Sequence, residues 1–261
     1  MTGAGTPLLD VEGARVTFGG FHAVNGVSLH VDEGAIVGLI GPNGAGKTTL
    51  FNAVTGLQAM HGGQVRFAGR DVTRASPVRR ARLGIGRSFQ NLGLMMGESV
   101  RVNVLAAQFL ATPYRGWDVV ARPWRWRRGE DELHASTLGL LEHFELSPHL
   151  DTTVADLSFG SARFVELCGV LARRPRLVLL DEPTTGLSLG ETDRLRAGLA
   201  RARAEGVTVL VISHDVSFVM GATEYVYVLS EGHLLKEGTP DEVRDDPAVV
   251  EAYLGRTARA G

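Results

Sequence analysis

The feature that most constrains this chain is a glycine-rich loop between a buried strand and a helix. Residues 35–40 form a continuous apolar run, which is typical of a strand buried on both faces. The run ends in Gly41-Pro-Asn-Gly-Ala-Gly-Lys-Thr48, and residues 49–55 are predicted to continue as a helix. Strand, loop and helix together form the pattern of a phosphate-binding loop (P-loop). We therefore expect the chain to bind a phosphate-bearing ligand here.

The residue types in this loop suit that chemistry. Glycines let the backbone curl so that successive N–H groups face a phosphate, and the helix N-terminus favours an anion. Lys47 would supply an ammonium group to the outer phosphates, and the Thr48 hydroxyl could bind Mg²⁺. The alternative is a glycine-rich turn with a solvated lysine. The residues expected to hold the phosphates are Gly41, Pro42, Asn43, Gly44, Ala45, Gly46, Lys47, Thr48 and Thr49.

Polar side chains follow two further apolar runs. Residues 177–180 lead into Asp181 and Glu182, and residues 207–212 lead into Ser213 and His214. Ligands bind at the carboxyl edge of parallel sheets, so these groups are expected there. Asp181 suits a Mg²⁺ shell, and Glu182 suits the orientation of an attacking water. His214 could donate to a γ-phosphate. The alternatives are an acidic turn and a structural histidine.

The order of predicted elements indicates a mainly parallel α/β core with a helical insertion. A turn is predicted at Gly19-Gly20. The predicted strands cover 8–18, 27–31, 35–40, 64–68, 177–180, 207–212, 225–229 and 233–237. The predicted helices cover 49–55, parts of 99–150, 161–173 and 190–205.

Composition excludes several classes of protein. The net charge of −2, from 27 basic and 29 acidic residues, argues against a nucleic-acid partner. One cysteine excludes an internal disulfide framework and a cysteine-based zinc site. The first residues lack the pattern of a signal peptide, and no apolar run approaches a membrane span. We expect an intracellular protein that would act at a membrane only through a partner.

A further motif extends the pattern. Leu157-Ser-Phe-Gly160 precedes a predicted helix, which is followed by the strand that ends at Asp181-Glu182. This order resembles the signature motif and Walker B segment of ABC transporter ATPases over about residues 8–255. The resemblance implies an α/β fold: a P-loop NTPase (RecA-like) core with an N-terminal antiparallel β subdomain and an inserted α-helical subdomain. The implied division is 8–93 and 175–240 for the core with the β subdomain, 94–174 for the helical subdomain, and 241–261 for a C-terminal extension.

The resemblance also implies ATP and Mg²⁺ as ligands and roles for further residues. Gln90 resembles the Q-loop glutamine that senses Mg²⁺ and the γ-phosphate. Phe18 resembles the aromatic residue that stacks on adenine, with core packing as the alternative. Ser158 and Gly160 would contact the γ-phosphate held by a second ATPase subunit, joined head to tail as a homodimer or heterodimer. Residues 185–188 occupy the D-loop.

Three segments narrow the resemblance to the ATPases of branched-chain amino acid importers. They are residues 89–95, the insertion at about 110–130, and the ending at 238–247 and 252–255. The implied partners are transmembrane permease subunits and a solute-binding protein, with the chain peripheral at the cytoplasmic face of the membrane. The alternatives are urea or other amide import, lipopolysaccharide-type export and, outside transport, an ABC ATPase of DNA repair or translation. The repair ATPases carry a long coiled coil between the P-loop and the signature. In this chain only 109 residues separate Lys47 from Leu157, and that segment has no heptad repeat.

The family pattern is broken at several positions. Ser161 replaces the usual glutamine of the signature, Gly169 replaces a common arginine, and Ser188-Leu189 replaces Asn-Pro in the D-loop. We expect hydrolysis to be intact and dimer closure to be affected, with a weakly active or asymmetric ATPase as the alternative. Trp117, Trp124 and Trp126 lie among arginines and would either pack on the helical subdomain or contact lipid headgroups or the permease.

Overall fold

A computed structural model of the protein describes residues 6–88, 93–109 and 137–254. The chain divides into two compact units. The first contains the described residues of 1–87, 176–184 and 203–261, and the second contains those of 88–175 and 185–202. Within the described ranges, no helix combines the length and apolar character that a bilayer crossing requires.

The strands are β1 Leu9–Phe18, β2 Phe21–Val31, β3 Ile36–Ile40, β4 Gly62–Phe67, β5 Arg70–Asp71, β6 Ile85–Arg87, β7 Leu177–Asp181, β8 Thr208–Ile212, β9 Tyr225–Ser230 and β10 His233–Gly238. The helices are α1 Lys47–Thr55, α2 Pro77–Arg82, α3 Val100–Phe109, α4 Phe159–Ala172, α5 Leu189–Ala204, α6 Val216–Ala222, α7 Pro240–Arg244 and α8 Pro247–Leu254. Residues 137–143 are also helical, and short 3₁₀ turns occur at Ser147–His149 and Val154–Asp156.

The first unit contains an antiparallel sheet in the order β2-β1-β4-β5. Its first hairpin turns at Gly19 and Gly20, as the sequence predicted. Both glycines have positive φ angles. Buried and exposed residues alternate along much of β2, because only one face of an antiparallel sheet packs on the core.

The second sheet of the first unit has the order β10-β9-β3-β8-β7-β6. Strands β9, β3, β8, β7 and β6 are parallel, and β10 pairs antiparallel with β9. All five residues are buried in each of β3, β7 and β8, as continuous apolar runs predict. The loop after β3, the carboxylates after β7 and the histidine after β8 therefore follow three adjacent strands.

Several short elements were not predicted from the sequence, although each helix has a recognisable start. Ser76 caps α2 by accepting a hydrogen bond from the Arg79 N–H, and Asp215 caps α6. At α7, Thr239 begins a capping box in which its N–H donates to the Glu242 carboxylate. Serine, threonine and aspartate at these positions satisfy the first-turn N–H groups and would have indicated the helices.

The second unit is built on α4, whose buried face packs against α3. The Phe144 and Phe164 rings stack with centroids 5.6 Å apart. Helix α5 packs closely against the Phe144 ring at Gly198, where an added Cβ would overlap that ring. Residues 185–202 therefore belong to this unit, whereas the sequence-based division assigned them to the core.

Candidate functional site

The loop after β3 has a backbone that requires glycine. Gly41, Gly44 and Gly46 have φ angles of 149°, 80° and 97°. A Cβ on Gly41 would overlap the Leu229 carbonyl oxygen, and one on Gly46 would overlap the Ala23 carbonyl oxygen. The loop is thus held against neighbouring backbone at two of its three glycines. Gly46 is also the N-cap of α1, where no side chain caps the first-turn N–H groups, as an anion site requires.

Lys47 lies in the first turn of α1 and is buried, with 7% of its surface exposed. Its ammonium group donates to the carbonyls of Gly41 and Pro42 at 2.6 and 3.1 Å. These hydrogen bonds hold the Lys47 ammonium group against the backbone of the loop. Thr48, the next residue, is exposed at the same helix end.

The turn between β9 and β10 fixes the outside of this loop. The Gly232 N–H donates to the Ala45 carbonyl at 3.1 Å, and the Gly232 carbonyl accepts from the Asn25 N–H at 2.7 Å. Residues about 190 positions downstream therefore complete the loop. The strands at 225–229 and 233–237 were predicted from the sequence, but this contact was not, because no local pattern indicates it.

Asp181 ends β7 and is only 1% exposed. Its carboxylate accepts a hydrogen bond from the Arg87 guanidinium at 2.9 Å, and Arg87 also donates to the Asn52 side chain at 2.6 Å. Because Asn52 lies on α1, Arg87 links the predicted Mg²⁺ ligand to the helix that begins in the phosphate loop. Arg87 has no local sequence signal for this role, since its partners are distant in sequence.

We expect Arg87→Met to lower the free energy of unfolding by about 3 kcal/mol, because it leaves a buried carboxylate without its cation. Urea denaturation of the nucleotide-free protein would measure this. Arg66→Met is the matched control, because Arg66 pairs with Asp10 and Glu12 while 39% exposed. Its loss should cost less than about 1 kcal/mol. Equal losses in the two variants would contradict the role given to Arg87.

Glu182 and His214 form a hydrogen-bonded pair. The Glu182 carboxylate oxygen Oε2 accepts from the His214 main-chain N–H at 3.0 Å and lies 2.7 Å from His214 Nδ1. Glu182 has a φ of 51°, a conformation that costs about 1–3 kcal/mol in a residue with a side chain. Its N–H donates to the Ile212 carbonyl, which joins the ends of β7 and β8. Backbone strain at a carboxylate beside an exposed histidine is typical of a functional position.

Tyr253 is a further residue near this site that sequence analysis did not assign. Burial raises the pKa of Tyr253 to about 12, the charge of Glu182 also raises it, and the Gly41 backbone lowers it. These influences place the phenol of α8 near both the phosphate loop and the Glu182 carboxylate.

The residues after β3 and β7 suit ATP and Mg²⁺. Positive-φ glycines, a helix start without a side-chain cap and a buried lysine match the requirements of bound phosphate. The Thr48 hydroxyl and the Asp181 carboxylate are the oxygen ligands that Mg²⁺ prefers. Within the described residues, no three His, Cys, Asp or Glu side chains are grouped as a metal site. Phosphate oxygens of a bound nucleotide would supply further ligands.

The other residues predicted for the site lie apart from these contacts or outside the described residues. Phe18 ends β1 and is 48% exposed, opposite Phe21 across the turn, so it is not packed in the core. Gln90 and the three tryptophans lie outside the described residues.

The predicted signature residues lie in the second unit, at the start of α4. Ser158 is the N-cap, and its hydroxyl oxygen accepts from the Ser161 N–H at 3.1 Å. The Ser158 hydroxyl also donates to the Ser161 hydroxyl at 3.1 Å. Ser161, the departure from the family pattern, therefore contacts a residue predicted to bind the γ-phosphate. Phe159 is 55% exposed and lies against Gly186, where an added Cβ would be 2.7 Å from the ring.

Ser188, which replaces the usual asparagine of the D-loop, caps helix α5. Ser188 precedes α5, and its N–H and hydroxyl both donate to Glu191 Oε2 at 2.8 Å. The Glu191 N–H returns a hydrogen bond to the Ser188 hydroxyl oxygen at 3.4 Å. Ser188 therefore supplies the helix cap.

The strand order, the phosphate loop, the paired Glu182 and His214, and the helix begun by Ser158 define an ATP-binding cassette. The ABC transporter family model matches residues 24–185. A second model, described as "Branched-chain amino acid ATP-binding cassette transporter", matches residues 237–259. The chain belongs to the ABC transporter family of ATP-binding proteins, which hydrolyse ATP.

Relatives with full-length similarity agree with this assignment. The high-affinity branched-chain amino acid transport ATP-binding protein BraF of Pseudomonas aeruginosa is 39% identical over 250 residues, 95% of this chain and 98% of BraF. The corresponding LivG protein of Escherichia coli is 36% identical with the same coverage. A crystal structure of an ABC transporter ATP-binding cassette in its ADP conformation has a TM-score of 0.83 and 30% identity, covering 96% of this chain and 100% of that chain. The predicted family and fold class are confirmed.

Proposed function

We propose that this chain is the ATP-hydrolysing subunit of an importer for branched-chain amino acids, at the cytoplasmic face of the membrane. The observation that carries the proposal is the placement of Lys47, Asp181 and the Glu182–His214 pair after three adjacent parallel strands. The C-terminal family match over residues 237–259 supports this subfamily.

ATP binding depends on the loop after β3. Its main-chain N–H groups and the Lys47 ammonium hold the phosphates, and the exposed face of Phe18 stacks on adenine. Lys47 already donates to two loop carbonyls, so its charge moves only a short way to reach phosphate oxygens. Thr48 and Asp181 would hold Mg²⁺, which would neutralise charge on the phosphate oxygens. Arg87 positions the Asp181 carboxylate for this role.

Hydrolysis depends on Glu182 and His214. The Glu182 carboxylate orients the attacking water and accepts its proton. The hydrogen bond from the His214 main-chain N–H fixes the position of that carboxylate. The exposed imidazole carries one N–H in its neutral form, which would be donated to the γ-phosphate when ATP is bound. Gln90 contributes to the sensing of Mg²⁺ and the γ-phosphate.

Coupling to transport requires partners. A second ATPase subunit, identical or different, presents its Ser158 and Gly160 counterparts to the γ-phosphate, and transmembrane permease subunits respond to closure of the pair. A solute-binding protein delivers the solute, and no nucleic acid takes part.

Uptake of radiolabelled leucine tests the proposal in cells that lack this chain's gene. Uptake should fall to background, and the wild-type chain should restore it while Lys47→Ala should not. Uptake of an unrelated amino acid is the control. If leucine uptake persists and that of urea or another amide is lost, the solute assignment is wrong and the ATPase assignment stands.

A further inference from the structure

Glu191 makes a contact that its role as a helix cap does not require. Its Oε2 atom accepts both hydrogen bonds from Ser188 in the capping box. The whole carboxylate lies against Gly160, with Oε1 nearest, and a Cβ on Gly160 would overlap both oxygens and the carboxyl carbon. Capping uses one oxygen and no charge, since glutamine serves as well as glutamate at this position. Capping therefore does not explain why a charged group lies against Gly160.

The surroundings of this carboxylate favour a negative charge. Helix α4 has 14 residues and begins at Ser158, so its N-terminal end carries a partial positive charge. Hydrogen bonds from the backbone and hydroxyl of Ser188 are the main cause of a lowered Glu191 pKa. Glu191 is therefore an anion at neutral pH, held beside the start of α4.

Ser158 and Gly160 are the residues assigned above to the γ-phosphate of a second subunit. We propose that the negative charge of the Glu191 carboxylate opposes phosphate binding at the signature residues Ser158 and Gly160. A phosphate that binds there must either displace this carboxylate or bind against its charge. The inference rests on the proposed function, because that function gives Ser158 and Gly160 their ligand. It follows that the charge of Glu191 makes phosphate binding at this site weaker than the helix start alone would allow.

Glu191→Gln separates this role from capping. Glutamine keeps the side-chain oxygen that Ser188 needs and removes the charge. Asp193→Asn is the matched control, because it removes one charge from the same helix. The Asp193 side chain is 72% exposed and pairs with Arg196. The two variants have the same net charge and differ in whether the lost carboxylate faces Gly160.

The test is a titration of the nucleotide-free, ¹⁵N-labelled chain with inorganic phosphate, followed by the amide resonance of Gly160. The apparent Kd at Gly160 should fall by about threefold to fivefold in Glu191→Gln, which is the size of a helix-terminus charge effect. It should be unchanged in Asp193→Asn. The amides of Gly41 and Gly46 report phosphate at the P-loop in the same spectra, and their Kd should be the same in all three proteins.

Three results would overturn the inference: an unchanged or weaker affinity at Gly160 in Glu191→Gln, an equal gain in Asp193→Asn, or no response of Gly160 in any protein. Failure of the proposed function would be distinct. It would appear as absent ATP turnover by the wild-type chain, which the phosphate titration does not measure.

Discussion

Glu182→Gln should lower the steady-state rate of ATP hydrolysis by at least about 100-fold, the lower end of the contribution of a general base. The amide keeps the shape of the side chain and its hydrogen bond from the His214 N–H. It cannot accept the proton of the attacking water. ATP binding should persist, because Lys47 and the loop glycines are unchanged.

Phosphate release under saturating Mg²⁺-ATP measures the rate, and a fluorescent ATP analogue measures binding. Glu33→Gln is the control, because Glu33 is an exposed carboxylate of the same unit, paired with Arg176. Its turnover should match the wild type. Sizing with ATP should show a trapped dimer of the Glu182→Gln protein if the subunits are identical. Turnover within tenfold of the wild type would remove Glu182 from its assigned role.

Gly46→Ala should destabilise the nucleotide-free protein by about 4 kcal/mol. The φ of 97° at this position costs an alanine about 1–2 kcal/mol. The added Cβ would also overlap the Ala23 carbonyl oxygen, and a backbone shift that relieves such overpacking costs about 1–3 kcal/mol. The same shift would move the N–H groups of the loop, so ATP affinity should fall more than about tenfold.

Gly44→Ala is a matched control in the same loop. Gly44 also has a positive φ, 80°, but nothing lies within 4 Å of an added Cβ. Its cost should be limited to the conformational penalty of about 1–2 kcal/mol. Chemical denaturation of both variants measures the difference. Equal losses would mean that the contact with Ala23 contributes nothing.

The central part of the fold was predictable because its patterns are local. Continuous apolar runs identified β3, β7 and β8, and the glycine pair identified the first hairpin. Strand β6 has only three residues, too few for a pattern, and α6 and α7 have seven and five. Their caps were nonetheless present in the sequence.

The candidate site was predictable to a lesser extent. The phosphate loop, Asp181, Glu182 and His214 follow strands, so their placement follows from the sheet. Arg87 and Glu191 depend on contacts made only when distant segments pack or when a loop bends back on a helix. No spacing rule contains those contacts. The roles of Gln90 and Phe18 stay predictions.

The strand before the phosphate loop has its two neighbours, β8 and β9, in the last quarter of the chain, and the turn at Gly232 then holds the loop itself. Protein synthesis runs from the N-terminus, so the ribosome makes the nucleotide-binding sequence long before it makes the segments that hold it in place. A nascent chain stalled before residue 208 would contain the whole binding motif without the two flanking strands or the turn that holds the loop. The loop can thus reach its final shape only after residue 232 has been added, well after the binding sequence itself.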